Sequence, residues 1–136
     1  MFSTAAQVVQ HTPAKTRVAC VDDDLRVRES FQSLLESAGY QPLIFDSAEA
    51  LLGSGELDSI DCLVTDVRMP GMNGLELQRV VRQNRATLAI IFVSAHFDEA
   101  VRNVALAEGA SVFIFKPFEG VQLLDAIRNA VDQARG

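Results

Sequence analysis

The stretch CLVTDVRMPGMNGLELQRVV, residues 62–81, decides the fold. It opens on a short apolar run, Cys62–Thr65, with no polar alternation, which suits a parallel strand covered on both faces. Asp66 follows directly. Pro70, Gly71 and Gly74 then break the chain into a turn. Asn73, with Glu76 three residues on, forms a capping-box start, and Leu77, Val80 and Val81 fall at helical spacing behind it. The stretch is one β–α unit carrying an acid at the carboxyl end of its strand.

The same beat runs outward in both directions. Short apolar runs recur at Arg17–Val21, Pro42–Phe45, Ala89–Val93 and Val112–Phe115. Between them, Phe31, Leu34, Leu35 and Ala38 mark a helix ended by Gly39, and Asp98–Glu108 marks another ended by Gly109. A short helix is expected near Ala48–Leu52, and Leu124, Ile127, Val131 and Ala134 mark a closing helix. Five β–α units with right-handed crossovers give an α/β fold: a doubly wound, five-stranded parallel sheet with helices on both faces. For five strands the flavodoxin-like order 2-1-3-4-5 is expected, since a closed barrel needs eight. Residues 17–136 form this one domain. Residues 1–16, small and polar with a proline, are expected to be a flexible N-terminal extension with transient helix around Ala5–Gln10.

Composition narrows the function. The net charge of −6 and pI near 4.8 argue against direct nucleic-acid binding by this domain, which needs clustered Lys and Arg. No window approaches the ~18 apolar residues of a membrane span, and the N-terminus lacks the pattern of a signal peptide, so a cytoplasmic location is expected. Cys20 and Cys62 each lie inside an apolar run and read as buried free thiols.

In a sheet of this kind ligands gather beyond the carboxyl ends of the strands, at the switch point between strands 1 and 3. The residues found there are Asp22-Asp23-Asp24, Asp66, Ser94-Ala95-His96 and Lys116-Pro117-Phe118. Two bare carboxylates about 4 Å apart repel by roughly 4 kcal/mol at an effective dielectric near 20. A proton or a divalent cation relieves that, and oxygen-only ligands with room for water or phosphate suit Mg²⁺ better than zinc. Lys116 is the sole lysine of the globular region and ends an apolar strand, from which it can reach the acidic cleft. Its bond to Pro117 admits a cis peptide. Asp66, Lys116, Ser94 and Mg²⁺ compose a phosphoryl site in which an aspartate is the nucleophile and an acyl phosphate the product. Ser94 would donate to a phosphoryl oxygen and before phosphorylation has nothing to hold.

These motifs, VDDD at 21–24, TDVRMPGMNG at 65–74, VSA at 93–95 and FKPF at 115–118, resemble the receiver domain of bacterial two-component response regulators over Arg17–Ala134. Arg68-Met69-Pro70 and His96 resemble the nitrogen-fixation regulator type in particular. The resemblance implies Asp66 as phosphoacceptor and Asp22, Asp23, Asp66 and the Arg68 backbone carbonyl as metal ligands, Asp23 directly and Asp22 through water. It also implies Ser94 as the switch hydroxyl, Lys116 as the family lysine and Phe113 as the switch aromatic. The partners implied are a sensor histidine kinase or phosphotransfer protein and, on phosphorylation, a second copy of the chain. In that reading the protein is a phosphorylation-activated switch and not an enzyme beyond its own phosphorylation and dephosphorylation. Its helix 4/strand 5/helix 5 face is re-shaped for a partner or output domain.

Two other readings compete with it. A pseudo-receiver adaptor would not need the intact set Asp22, Asp23, Asp66, Ser94 and Lys116. An aspartate-based phosphatase needs a second acid two residues after the nucleophile, where Arg68 stands. Asp24 is expected to cap the first helix, His96 to lie at the surface, and His11 to lie in the N-terminal tail.

Overall fold

The structure is a computed structural model and describes residues 15–136. The extension expected over 1–16 falls outside the described residues save for Lys15 and Thr16, as do the transient helix at Ala5–Gln10 and His11.

Strands β1 (Arg17–Val21), β2 (Gln41–Phe45), β3 (Cys62–Thr65), β4 (Ala89–Ser94) and β5 (Val112–Phe115) alternate with helices α1 (Leu25–Ser37), α2 (Ala48–Gly53), α3 (Gly74–Asn84), α4 (Glu99–Ala107) and α5 (Gly120–Arg135). The sheet order is β2-β1-β3-β4-β5, every pair parallel. Pro42 sits on the edge strand β2, where a missing N–H costs least.

Four of the five described helices, α1 to α4, start on side-chain acceptors for the otherwise unpaired first N–H groups, while α5 has none. Asp24 accepts from Arg26 N, Ser47 from Ala50 N and Asp98 from Val101 N. Asn73 and Glu76 close a reciprocal capping box on α3. The expected roles of Asp24 and of the Asn73–Glu76 pair are both borne out.

Because strand side chains alternate, the sheet buries two separate layers. Ala19, Val21, Leu63, Ile90, Phe92 and Phe113 face α2, α3 and α4. Val18, Cys20, Cys62, Val64, Ile91 and Ile114 face α1 and α5. Both cysteines are therefore buried free thiols, as expected.

Three details depart from the sequence reading. The buried stripe of α5 is Leu123, Ile127, Ala130 and Val131, while Leu124 is half-buried and Ala134 exposed. The Leu123-Leu124 pair fits two helical stripes one residue apart, and packing on the sheet selects the first. Ala38 is exposed, because α1 has already ended at Ser37. A turn of 3₁₀ helix at Leu57–Ser59, not foreseen, carries the chain into β3.

The loops at the opposite end of the sheet are tied by arginines. Arg82 on α3 donates to the carbonyls of Leu88, Arg85 and Gly109, and Arg85 to those of Leu57 and Ile60. Gln78, fully buried, donates from α3 to Ala105 O on α4. These bonds leave the carboxyl edge of the sheet free for chemistry.

Candidate functional site

Asp66 is the first residue beyond β3. Its N–H donates to Val21 O at 3.0 Å, which sets it level with Asp22, the first residue beyond β1. Its Oδ1 accepts from Val67 N at 2.7 Å, and its carbonyl accepts from the buried Thr65 hydroxyl at 2.9 Å. The loop that follows must fold back immediately. Gly74 N–H donates to Val67 O at 2.8 Å, and a Cβ at Gly74 would run into the Asp66 carbonyl oxygen. Only glycine permits that approach.

Asp22 is 1% exposed, yet its polar atoms all have partners. Oδ1 accepts from Asp24 N at 2.9 Å, Oδ2 accepts from Lys116 Nζ at 3.0 Å, and the carbonyl accepts from Arg28 Nη1 at 2.9 Å. Asp23 is exposed beside it. One carboxylate oxygen from each of Asp22, Asp23 and Asp66 lies within 4.8 Å of the others. The convergence expected at the switch point is present.

Lys116 enters from β5. Its backbone N–H donates to Ser94 O at 2.8 Å, its bond to Pro117 is cis, and its side chain is 18% exposed. The ammonium lies 3.0 Å from Asp22 Oδ2 and 3.5 Å from Asp66 Oδ2. Burial pushes the Asp66 carboxyl above its ordinary range; Lys116 opposes the rise and Asp22 adds to it. For Lys116 burial works downward, but the hydrogen bond to Asp22 and the charges of Asp66 and Asp22 outweigh it and leave the ammonium more basic than usual. Three carboxylates against one ammonium leave two formal negative charges in the pocket. That surplus, on oxygen donors only, fits a hard divalent cation of the Mg²⁺ kind.

Ser94 corrects an expectation. The hydroxyl is buried and already employed: it accepts from His96 N at 3.1 Å and donates to His96 O at 3.3 Å. A buried hydroxyl at a strand end is costly without a partner, and the turn into α4 supplies one. His96 itself is exposed, as expected, and so is the Arg68 side chain. Phe113 is buried under α4 and stacks on Phe92 with centroids 5.8 Å apart. The aromatic series continues from Phe113 to Phe115 at 5.3 Å and on to Phe97 at 5.0 Å, which is 76% exposed.

Two contributors were missed from sequence. Arg28 reaches back from α1 to the Asp22 carbonyl. Glu49, in the first turn of α2, accepts from Met72 N at 2.8 Å and holds the β3–α3 loop from outside. Arg28 lies six residues from its partner, one helix start away, and could have been suspected; a bond across 23 residues leaves no local signal.

Three carboxylates face one lysine at the switch point of this sheet. The pattern of the response regulator receiver domain matches residues 18–128, and the chain belongs to that family. It is 38% identical over 127 residues to nodulation protein W of Bradyrhizobium diazoefficiens, covering 92% of this chain and 56% of that protein. It is 37% identical over 120 residues to the transcriptional regulatory protein FixJ of the same organism, covering 88% and 58%. The chain thus spans little more than half the length of these curated relatives. Among solved structures, the response regulator StyR is similar at 41% identity and a TM-score of 0.82, covering 90% of this chain and 62% of that one. A CheY-like receiver domain protein from Methanospirillum hungatei gives a TM-score of 0.83 at 26% identity, with 90% and 98% covered. The expected family and the expected sheet order are both borne out. Among the described residues no helix is long and apolar enough to cross a membrane.

Proposed function

We propose that this receiver is a phosphorylation-activated switch of a two-component system, with Asp66 as the acceptor of the phosphoryl group. The donor is a phosphohistidine on a sensor histidine kinase or a phosphotransfer protein, meeting the domain in the cytoplasm. A carboxylate oxygen of Asp66 forms the new bond to phosphorus while the phosphorus–nitrogen bond breaks, and the electron pair leaves on the imidazole. The observation that carries this reading is Asp66 half-buried between Lys116 and the Asp22–Asp23 pair.

Each side chain has a task. Lys116, already an ammonium within 3.5 Å of Asp66, neutralises charge on the phosphoryl oxygens. Asp22, Asp23, Asp66 and the Arg68 carbonyl are the residues that would hold Mg²⁺. When bound, the cation supplies charge neutralisation and orientation for the incoming group. Ser94 would exchange its bond with the His96 backbone for one to a phosphoryl oxygen. That exchange frees the turn into α4 and lets Phe113 shift against Phe92. The α4–β5–α5 face is thereby re-shaped for an output domain, a partner or a second copy of the chain. Apart from its own phosphorylation and hydrolysis, the domain performs no catalysis.

The test is intact-mass spectrometry after incubation with acetyl phosphate and Mg²⁺, beside the Asp66→Asn variant. One phosphoryl adduct is expected, dependent on Mg²⁺ and absent from the variant. An adduct of equal yield on Asp66→Asn overturns the assignment.

A further inference from the structure

We propose that Glu49 is a positioning residue for the cation, holding the β3–α3 loop in the shape that presents the Arg68 carbonyl to the acidic pocket. This rests on the reading of Asp22, Asp23, Asp66 and the Arg68 carbonyl as the Mg²⁺ ligands.

The loop of residues 67–73 is packed on the core through Val67, Met69 and Met72, and its backbone is bonded at both ends. At the base, Gly74 N–H bonds to Val67 O and the Asn73–Glu76 box starts α3. The crest turns at Gly71, whose φ of +73° suits glycine. Beyond it the Met72 N–H has no backbone partner within the loop. Glu49 Oε2 takes that N–H at 2.8 Å. Among the described residues, Glu76 of the following helix apart, it is the one side-chain hydrogen bond that reaches residues 67–73 from a helix or strand.

The fit goes beyond one bond. The carboxylate fills the notch above Gly71, where a Cβ would sit 2.6 Å from Oε2. The helix that carries the exposed Glu49 is itself held in place, because Ser47 caps α2 and Ala48 and Leu51 are buried. An acid in a first helical turn is favourable on its own account through the helix dipole, but that role needs no bond to Met72. A carboxylate accepting a backbone N–H is a charge-assisted bond, stronger than a neutral one. Arg68 lies four residues before Met72, so a crest that is free to move carries the Arg68 carbonyl with it.

The experiment compares Glu49→Ala, Glu49→Gln and Asp23→Ala with the parent by calorimetric titration with MgCl₂. Amide shifts of Arg68 and Met72 and urea unfolding midpoints are recorded alongside. Glu49→Ala is expected to weaken Mg²⁺ binding roughly tenfold, the scale of losing an outer support of a metal ligand. Glu49→Gln keeps an acceptor oxygen and is expected to recover most of the affinity. Unchanged affinity in Glu49→Ala, with or without a lower midpoint, overturns the proposal and leaves the ligand assignment standing if Asp23→Ala binds poorly. Equal loss in the Gln and Ala variants also overturns it, since the effect is then one of charge and not of position. If Asp23→Ala binds as tightly as the parent, the ligand assignment fails and takes the proposal with it.

Discussion

Lys116 Nζ lies 3.0 Å from Asp22 Oδ2, closer than its 3.5 Å to Asp66 Oδ2. The lysine is thus engaged more closely by the buried Asp22 than by Asp66. Asp22 is almost wholly out of water, and the Lys116 ammonium is the countercharge that faces it.

Lys116→Ala is therefore expected to destabilise the metal-free domain by about 3 kcal/mol, because it leaves a buried carboxylate without compensation. Mg²⁺ is expected to restore part of the loss by taking over the charge balance. Urea unfolding with and without MgCl₂ checks both points, and a variant as stable as the parent in the absence of metal contradicts the account.

Gly74→Ala puts a methyl group where the Asp66 carbonyl oxygen stands. Backbone must move, at a cost of about 3 kcal/mol, the upper part of the range for overpacking. Because the atom displaced belongs to Asp66, phosphorylation by acetyl phosphate is expected to fall together with the thermal midpoint. Gly53→Ala, in a helix with open space around the site, serves as the control.

Glu49 offers a pH readout. The Met72 N–H holds its carboxyl below the ordinary range, with a further bond to its own backbone N–H in the same direction. A lowered value means that the contribution is present above the unfolded value of about 4.3 and is lost as pH falls through the folded one. The Met72 amide resonance is expected to titrate with a midpoint under about 4.3, the ordinary glutamate value. In Glu49→Gln that step should vanish; its survival would assign the titration to another acid.

The cysteines report on opening. Burial pushes the Cys62 thiol up to about 12, with Asp61 adding to the shift. Burial likewise raises Cys20, helped by Cys62 and Asp22. Neither is a competent nucleophile in the folded state. Labelling by a disulfide reagent is expected to run roughly a thousandfold slower than on a free thiol, through rare unfolding, and slower still with Mg²⁺ bound. Rapid labelling of either residue would contradict the burial.

Much of this was legible in the chain itself. The central strands β3 and β4, buried on both faces, are written as unbroken apolar runs, and the edge strand β2, only partly buried, is still legible from Pro42–Phe45. The site followed from the topology, because residues beyond the strand ends have one place to converge. Lys116 stood out because ammonium groups are scarce here and an apolar strand leads into it. What escaped notice depends on partners distant in sequence. The Glu49–Met72 bond is one case, and the choice between Leu123 and Leu124 as the buried residue of α5 is another, since only the packed sheet decides it. Ser94 was read as idle because the sequence says nothing of the His96 backbone folding back onto it.

The parallel ladders have one more consequence. Val21 pairs with Thr65, Thr65 with Phe92, and Ser94 with Phe115. Side chains along a strand repeat every two residues, so sliding any one strand by two would keep each apolar group on its proper face. It would also carry Asp22, Asp66, Ser94 or Lys116 about 7 Å along the strand. The hydrophobic layers alone tolerate that error, whereas the chemistry does not. The sheet thus works as a ruler, and substitutions far down a strand that weaken its alignment can scatter the acidic pocket and its lysine without unfolding the protein.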